Sequence, residues 1–96
     1  MKFSFHPEAD AEFFDSIDYY EQCELGLGRD FSIEVYSAIN TILEYPEAWP
    51  VLEDDIRRFQ TNRFPFGILY SIERNHIFIL AVMHLHRDPD YWKHRI

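Results

Sequence analysis

His84 and His86 stand two residues apart at the end of an apolar run, so on an extended strand their side chains share one face. Histidine titrates near neutral pH and can act as a general base. The same half of the chain carries Arg57, Arg58, Arg63 and Arg87, with Tyr91 and Trp92 close behind. Guanidinium forks suit phosphates and carboxylates alike. Metal-free RNA hydrolysis needs a base for the 2′-hydroxyl, a cation for the phosphate and an acid for the leaving oxygen. His84 or His86, Arg63 or Arg87, and Tyr91 meet those needs by residue type. Arg57, Arg58, Arg63, Arg87, Tyr91 and Trp92 equally suit a basic, aromatic-edged surface that binds a macromolecule. The residue types do not say whether these groups converge. The plain alternative has the histidines bonded to the tail and the arginines solvating one sheet face and pairing with acids elsewhere.

Other chemistries are poorly supplied. Zinc would need two ligands beyond the histidine pair, and Cys23 is far away in sequence, so no metal is expected. Cys23 has no nucleophile signature and reads as a small hydrophobe at a helix end. Gly26-Leu27-Gly28 follows a helical pattern instead of a strand, against a phosphate-cradling loop. No cofactor is expected.

These residues need a scaffold of 96 residues, 47% apolar and 27% charged, the balance of an ordinary globular domain. The whole chain, 1–96, reads as one domain. Met1 to Pro7 is too short in apolar length for a secretory signal, and no window approaches the roughly 18 apolar residues of a membrane span. A lone cysteine makes no internal disulfide, so a reducing, cytoplasmic setting is expected. Charge is split. Residues 1–56 carry Lys2 and Arg29 against fourteen acids, net −12; residues 57–96 carry seven basic residues against three acids, net +4. The overall −8 is the wrong sign for a protein that draws its affinity from nucleic-acid phosphates, while the basic half suits an acidic partner.

Lys2 to His6 alternates polar and apolar, a half-buried strand. Pro7 suits a helix start, and Ala9, Phe13, Ile17 and Tyr20 form one stripe, predicting a helix from Glu8 to Gln22. Gly26 and Gly28 supply a turn. A second stripe of Phe31, Val35, Ala38, Ile39, Ile42 and Leu43 runs until Pro46 stops it. Residues 46–55 read as a loop. Strands follow at Ile56–Phe64, Phe66–Glu73 and His76–Met83, with Arg74-Asn75 as a hairpin turn. Ile77 to Met83 is apolar throughout, as in a strand covered on both faces. The prediction is α+β, in the order β-α-α-β-β-β: a helical hairpin packed on a mostly antiparallel four-stranded sheet.

The run Phe5-His6-Pro7-Glu8-Ala9, Tyr19-Tyr20-Glu21 with Gly26-Leu27-Gly28 and Phe31, and the stretch Pro46 to Pro50 resemble the RelE/ParE superfamily. So do Arg63-Phe64-Pro65-Phe66, Ile68-Leu69-Tyr70, and Leu80-Ala81-Val82 followed by His84, Arg87-Asp88-Pro89 and Tyr91-Trp92. The resemblance spans nearly the whole chain. It implies a toxin of a type II toxin-antitoxin module, associated with plasmid stabilization and silenced by a cognate antitoxin. Its targets divide between DNA gyrase, bound without hydrolysis, and ribosome-associated mRNA, cut by the endonuclease members; an inactive relic kept as an interaction domain is a third outcome. The endonucleases place an arginine before the apolar-apolar-Tyr of the second of the three strands and another after the last strand. Gly67 and Leu85 stand at those positions here. Tyr91 matches their C-terminal tyrosine, and His86 lies near a catalytic histidine of some members. Losing two cations from a phosphate site favours the gyrase-binding side.

Overall fold

The computed structural model describes residues 1–96. Strand β1 (Lys2–Phe5) leads into helix α1 (Pro7–Cys23) and helix α2 (Leu27–Glu44). Strands β2 (Val51–Glu53), β3 (Ile56–Gln60), β4 (Phe66–Glu73) and β5 (His76–His84) come next, and a 3₁₀ turn, Lys93–Arg95, closes the chain. One sheet runs β1-β5-β4-β3-β2. All neighbours are antiparallel except β1, which pairs parallel with β5.

The α+β architecture and the helical hairpin are as the periodicity predicts; the strand count is five instead of four. The added strand is β2, inside the segment that reads as a loop. It is three residues long, exposed throughout, and turned into β3 by Asp54, which adopts φ 51°. A run this short has no period to detect. The predicted strand Ile56–Phe64 ends at Gln60. Beyond it the Thr61 hydroxyl donates to the Phe64 carbonyl and accepts from the Phe66 amide, organising a tight turn before Pro65 is reached. Asn75 turns the β4–β5 hairpin at φ 52°, the left-handed conformation that asparagine tolerates.

Two clusters sandwich the central strands. On the helical side, Phe13, Phe31, Val35, Ile39 and Ile42 meet Phe66, Ile68, Tyr70, Ile77, Ile79 and Val82. On the other face Ile56, Leu69, Leu80, Ala81 and Met83 are covered by Trp92 from the tail, only 1% exposed. The apolar run of β5 is therefore covered on both sides, by helices on one and by the C-terminal tail on the other. A bulge at Leu80, left over between the pairs Leu69–Ala81 and Tyr70–Ile79, aims its carbonyl at the tail.

The two glycines of the helical turn have different jobs. Gly26 takes φ 87°. Gly28 lies within α2, where a Cβ would come 2.5 Å from the Ile17 carbonyl oxygen and 3.0 Å from the Glu21 Cβ. Glu21 crosses the same contact, accepting from the Gly26 and Gly28 amides at 2.9 and 3.1 Å. Gly28→Ala should cost about 1–3 kcal/mol through forced separation of the helices; a denaturation midpoint equal to the parent's would refute this close approach.

Candidate functional site

The cationic half does not gather on one face. Alternation along β3 sends Arg57 and Arg58 to opposite sides of the sheet. Arg57 donates to the carbonyls of Glu47 and Trp49 at 3.1 and 2.6 Å, fastening the loop before β2. Arg63 lies against α2, paired with Asp30 at 3.1 Å; Glu34 accepts from the Arg63 and Phe64 amides. Arg87 stacks on the Tyr91 ring, its guanidinium carbon 3.9 Å from the centroid. The four arginines do not share one solvated sheet face, and of them only Arg63 pairs with an acid of the helices.

The densest polar cluster has almost no signature in the sequence. Glu12 projects from α1 toward the edge of β5 beyond the end of β1, where strand pairing stops. Its carboxylate accepts from the Val82 amide at 2.7 Å, the Tyr91 hydroxyl at 2.7 Å and both terminal nitrogens of Arg95 at 2.8 and 3.2 Å. Arg95 also donates to the bulged Leu80 carbonyl at 3.1 Å and covers the second face of Tyr91 at 4.9 Å. One turn earlier Glu8 receives His94 at 2.9 Å. Side chains thus cap a sheet edge that would otherwise expose a free amide and carbonyl. The only signal for this in the sequence is an acid one turn after Glu8, indistinguishable from a solvated helix face.

Tyr91 is therefore not presented to a ligand as an acid. Its hydroxyl is committed to Glu12, and its pKa is raised above the ordinary tyrosine value, first by burial and then by the Glu12 hydrogen bond and charge, against smaller opposing effects of Arg95 and Arg87. A raised folded-state pKa means that Tyr91 contributes its full stability below the free tyrosine value near pH 10 and loses it as pH climbs through the higher folded value. Tyr91→Phe should accordingly flatten the alkaline fall in stability, leaving the part due to Tyr20 and Tyr70, which burial also raises. Urea titrations between pH 9 and 11 with identical slopes for the two proteins would contradict it.

His84 and His86 do meet, with rings 5.2 Å apart and the His86 amide donating to His84 Nδ1. His84 and Arg87 share an open cleft of about 410 Å³ with Tyr19, Tyr20 and Phe66, whose remaining charged walls are the carboxylates Glu12 and Asp15. Those acids oppose a phosphate there. Trp92, expected at the binding surface, is a core residue. Cys23, expected as a small hydrophobe, is exposed. No group of three or more His, Cys, Asp or Glu residues has the geometry to hold a metal ion, and no helix is long and apolar enough to cross a membrane.

On the helix-free face, Gly67 lies under Arg58. A Cβ at Gly67 would sit 3.2 Å from Arg58 Cδ and 3.3 Å from Leu85 Cδ2. The positions where the endonuclease pattern has arginines are thus adjacent here, and the space between them is filled by the Arg58 stem and by Leu85.

A helical hairpin packed on a five-stranded, mostly antiparallel sheet, with the free edge of β5 locked by a C-terminal tail, defines a small α+β domain. This architecture is shared with a solved structure described as the chromosomal ParDE TA system from P. aeruginosa, at TM-score 0.64 and 16% identity over 90% of this chain and 97% of that one. No curated protein sequence matches the chain. Residues 3–89 match the family described as the ParE toxin of the type II toxin-antitoxin system parDE, and the chain belongs to that family.

Proposed function

We propose that residues 1–96 form one toxin domain, held silent in the cytoplasm by a cognate antitoxin, that acts by binding DNA gyrase and not by cutting RNA. The observation that carries this reading is the Gly67–Leu85 junction. Where the resembling endonucleases set two arginines, a glycine carries the stem of Arg58 against a leucine side chain. Each lost cation would forfeit about 3 kcal/mol of transition-state stabilisation. The committed hydroxyl of Tyr91 removes the third catalytic group, and a net charge of −8 opposes approach to the polyanionic ribosome. The binding residues are Arg58, Arg63 and Arg87, with Arg57 supporting the loop beside Arg58. An antitoxin partner follows from the family; the basic half offers it charge complementarity.

One observation favours the endonuclease reading: His84 and Arg87 lie in one cleft. A supercoiling assay beside in vitro translation with cleavage mapping separates the two. The expected result is inhibition of gyrase by the purified chain, relieved by its antitoxin, with intact mRNA. Ribosome-dependent mRNA cleavage abolished by His86→Ala would replace the reading with the enzyme. Silence in both assays with harmless expression would identify an inert relic kept for interaction.

A further inference from the structure

Arg95 is a buried cation whose donors are unequally used. Its side chain is 5% exposed; Nη1 and Nη2 donate to Glu12, and Nη1 also reaches the Leu80 carbonyl. The Nε–H is buried and has no hydrogen-bond partner, an unfavourable state for a charged donor. The nearest carboxylate not already bonded to this guanidinium is that of Glu8, whose Oε2 lies 3.9 Å from Nε. It is engaged elsewhere: His94 Nε2 sits against both Glu8 oxygens, at 3.1 and 2.9 Å. Glu8 thus faces two competing donors on adjacent residues of the tail, and only histidine changes its charge near neutral pH. The Glu8 and His94 side chains are about half-exposed, so the carboxylate can turn. A movement of about 1 Å brings Oε2 within hydrogen-bond distance of Arg95 Nε.

We propose that Glu8, His94 and Arg95 form a pH-operated clasp: protonated His94 holds the Glu8 carboxylate, and neutral His94 yields it to Arg95 Nε. The signs follow from the donors. A protonated imidazole gives Glu8 a charge-assisted hydrogen bond, about twice as strong as a neutral one. Once the proton is lost, water replaces the exposed ring at little cost, whereas the buried Arg95 Nε is out of reach of solvent. Neutralising the solution therefore gives Arg95 two carboxylates one helical turn apart, Glu8 and Glu12, and tightens the cap on the β5 edge. In acid Arg95 keeps Glu12 alone, and the His94 ring is pinned to the first turn of α1. Other groups surround the clasp. Tyr91 is bonded to Glu12, and Lys93 to Glu53 and Asp90. Asp55, from the β2–β3 turn, and Glu73, from β4, line a small cavity with Arg95 and make no ion pair with it. His6 is the one other histidine touching Glu8: its Nδ1 accepts from the Glu8 amide at 3.1 Å. Protonation there removes a helix cap, the opposite sign to the His94 effect. The clasp rests on these contacts alone, whatever macromolecule the toxin binds.

The test follows the Arg95 Nε–H signal and the His94 ring protons of the full chain by NMR between pH 5.5 and 8. The Arg95 signal should move downfield as pH rises, as a proton does on gaining an acceptor, with the same midpoint as the His94 ring. His94→Ala should hold it at the downfield position at every pH, and Glu8→Ala at the upfield position throughout. Both replaced side chains are exposed, and unchanged core amide signals certify the fold of each variant. His6→Asn, which keeps a cap acceptor without a titrating ring, should leave the response intact. An Arg95 signal indifferent to pH, a midpoint apart from that of His94, the same response in Glu8→Ala, its loss in His6→Asn, or an Nε–H signal lost to exchange at pH 8 would each overturn the proposal.

Discussion

Replacing Glu12 with alanine should destabilise the fold by about 3–5 kcal/mol, the cost of removing one partner from a buried, hydrogen-bonded ion pair. The side chains of Glu12 and Arg95 are 13% and 5% exposed, so water cannot substitute for the lost carboxylate around Arg95. The change also strands the Val82 amide and the Tyr91 hydroxyl. In a domain of this size that loss corresponds to a fall in Tm of at least about 12 °C. Glu12→Gln should be milder, because the amide oxygen still accepts from Val82, but it leaves Arg95 only the more distant Glu8 carboxylate, at 3.9 Å. A double-mutant cycle with Arg95→Met should give a coupling of about 1 kcal/mol or more. A Glu12→Ala protein melting within a few degrees of the parent would show that this cluster is solvated and that the edge of β5 is held by something else.

Trp92→Ala should cost a similar amount, about 3–5 kcal/mol, by opening a large cavity against Ile56, Leu69, Leu80, Ala81 and Met83. The two substitutions should loosen different parts of the fold. Without Glu12 the tail keeps its apolar anchor while the α1 side of the β5 edge opens. Without Trp92 the helix-free face of β4 and β5 is uncovered, and those strands meet water with apolar side chains. Hydrogen exchange distinguishes them: Glu12→Ala should raise exchange first at the Val82 amide, and Trp92→Ala throughout residues 91–96. Trp92→Phe should recover more than half of the loss, because the indole N–H makes no hydrogen bond that phenylalanine would forfeit. A Trp92→Ala protein as stable as the parent would place the tail outside the core.

Both predictions concern a tail whose Tyr91 and Trp92 read, from the sequence, as part of a binding surface. The reason is physical. Tyr91, Trp92 and Arg95 sit in a stretch with no periodicity, between Asp88-Pro89-Asp90 and the end of the chain. Their burial depends on the sheet face of β3 to β5 and on a helix whose Glu12 lies about 80 positions away.

The helices are legible because a stripe such as Phe31, Val35, Ala38, Ile39 and Ile42 states its own period and which face is buried. The long strands are legible by their β-branched and aromatic runs, and the β4–β5 turn by Arg74-Asn75. The family pattern is legible as well, since the motifs carrying it are local and ordered along the chain. Three things are decided by tertiary structure alone: the short strand β2, the dispersal of the arginines, and the use of Glu12 and Glu34 as acceptors for distant amides. Each depends on which backbone groups the packed chain leaves without partners. A sequence specifies how many acids and arginines are available. Only the folded edge and the faces of β3 select which of them are consumed internally, as Arg57 and Arg95 are.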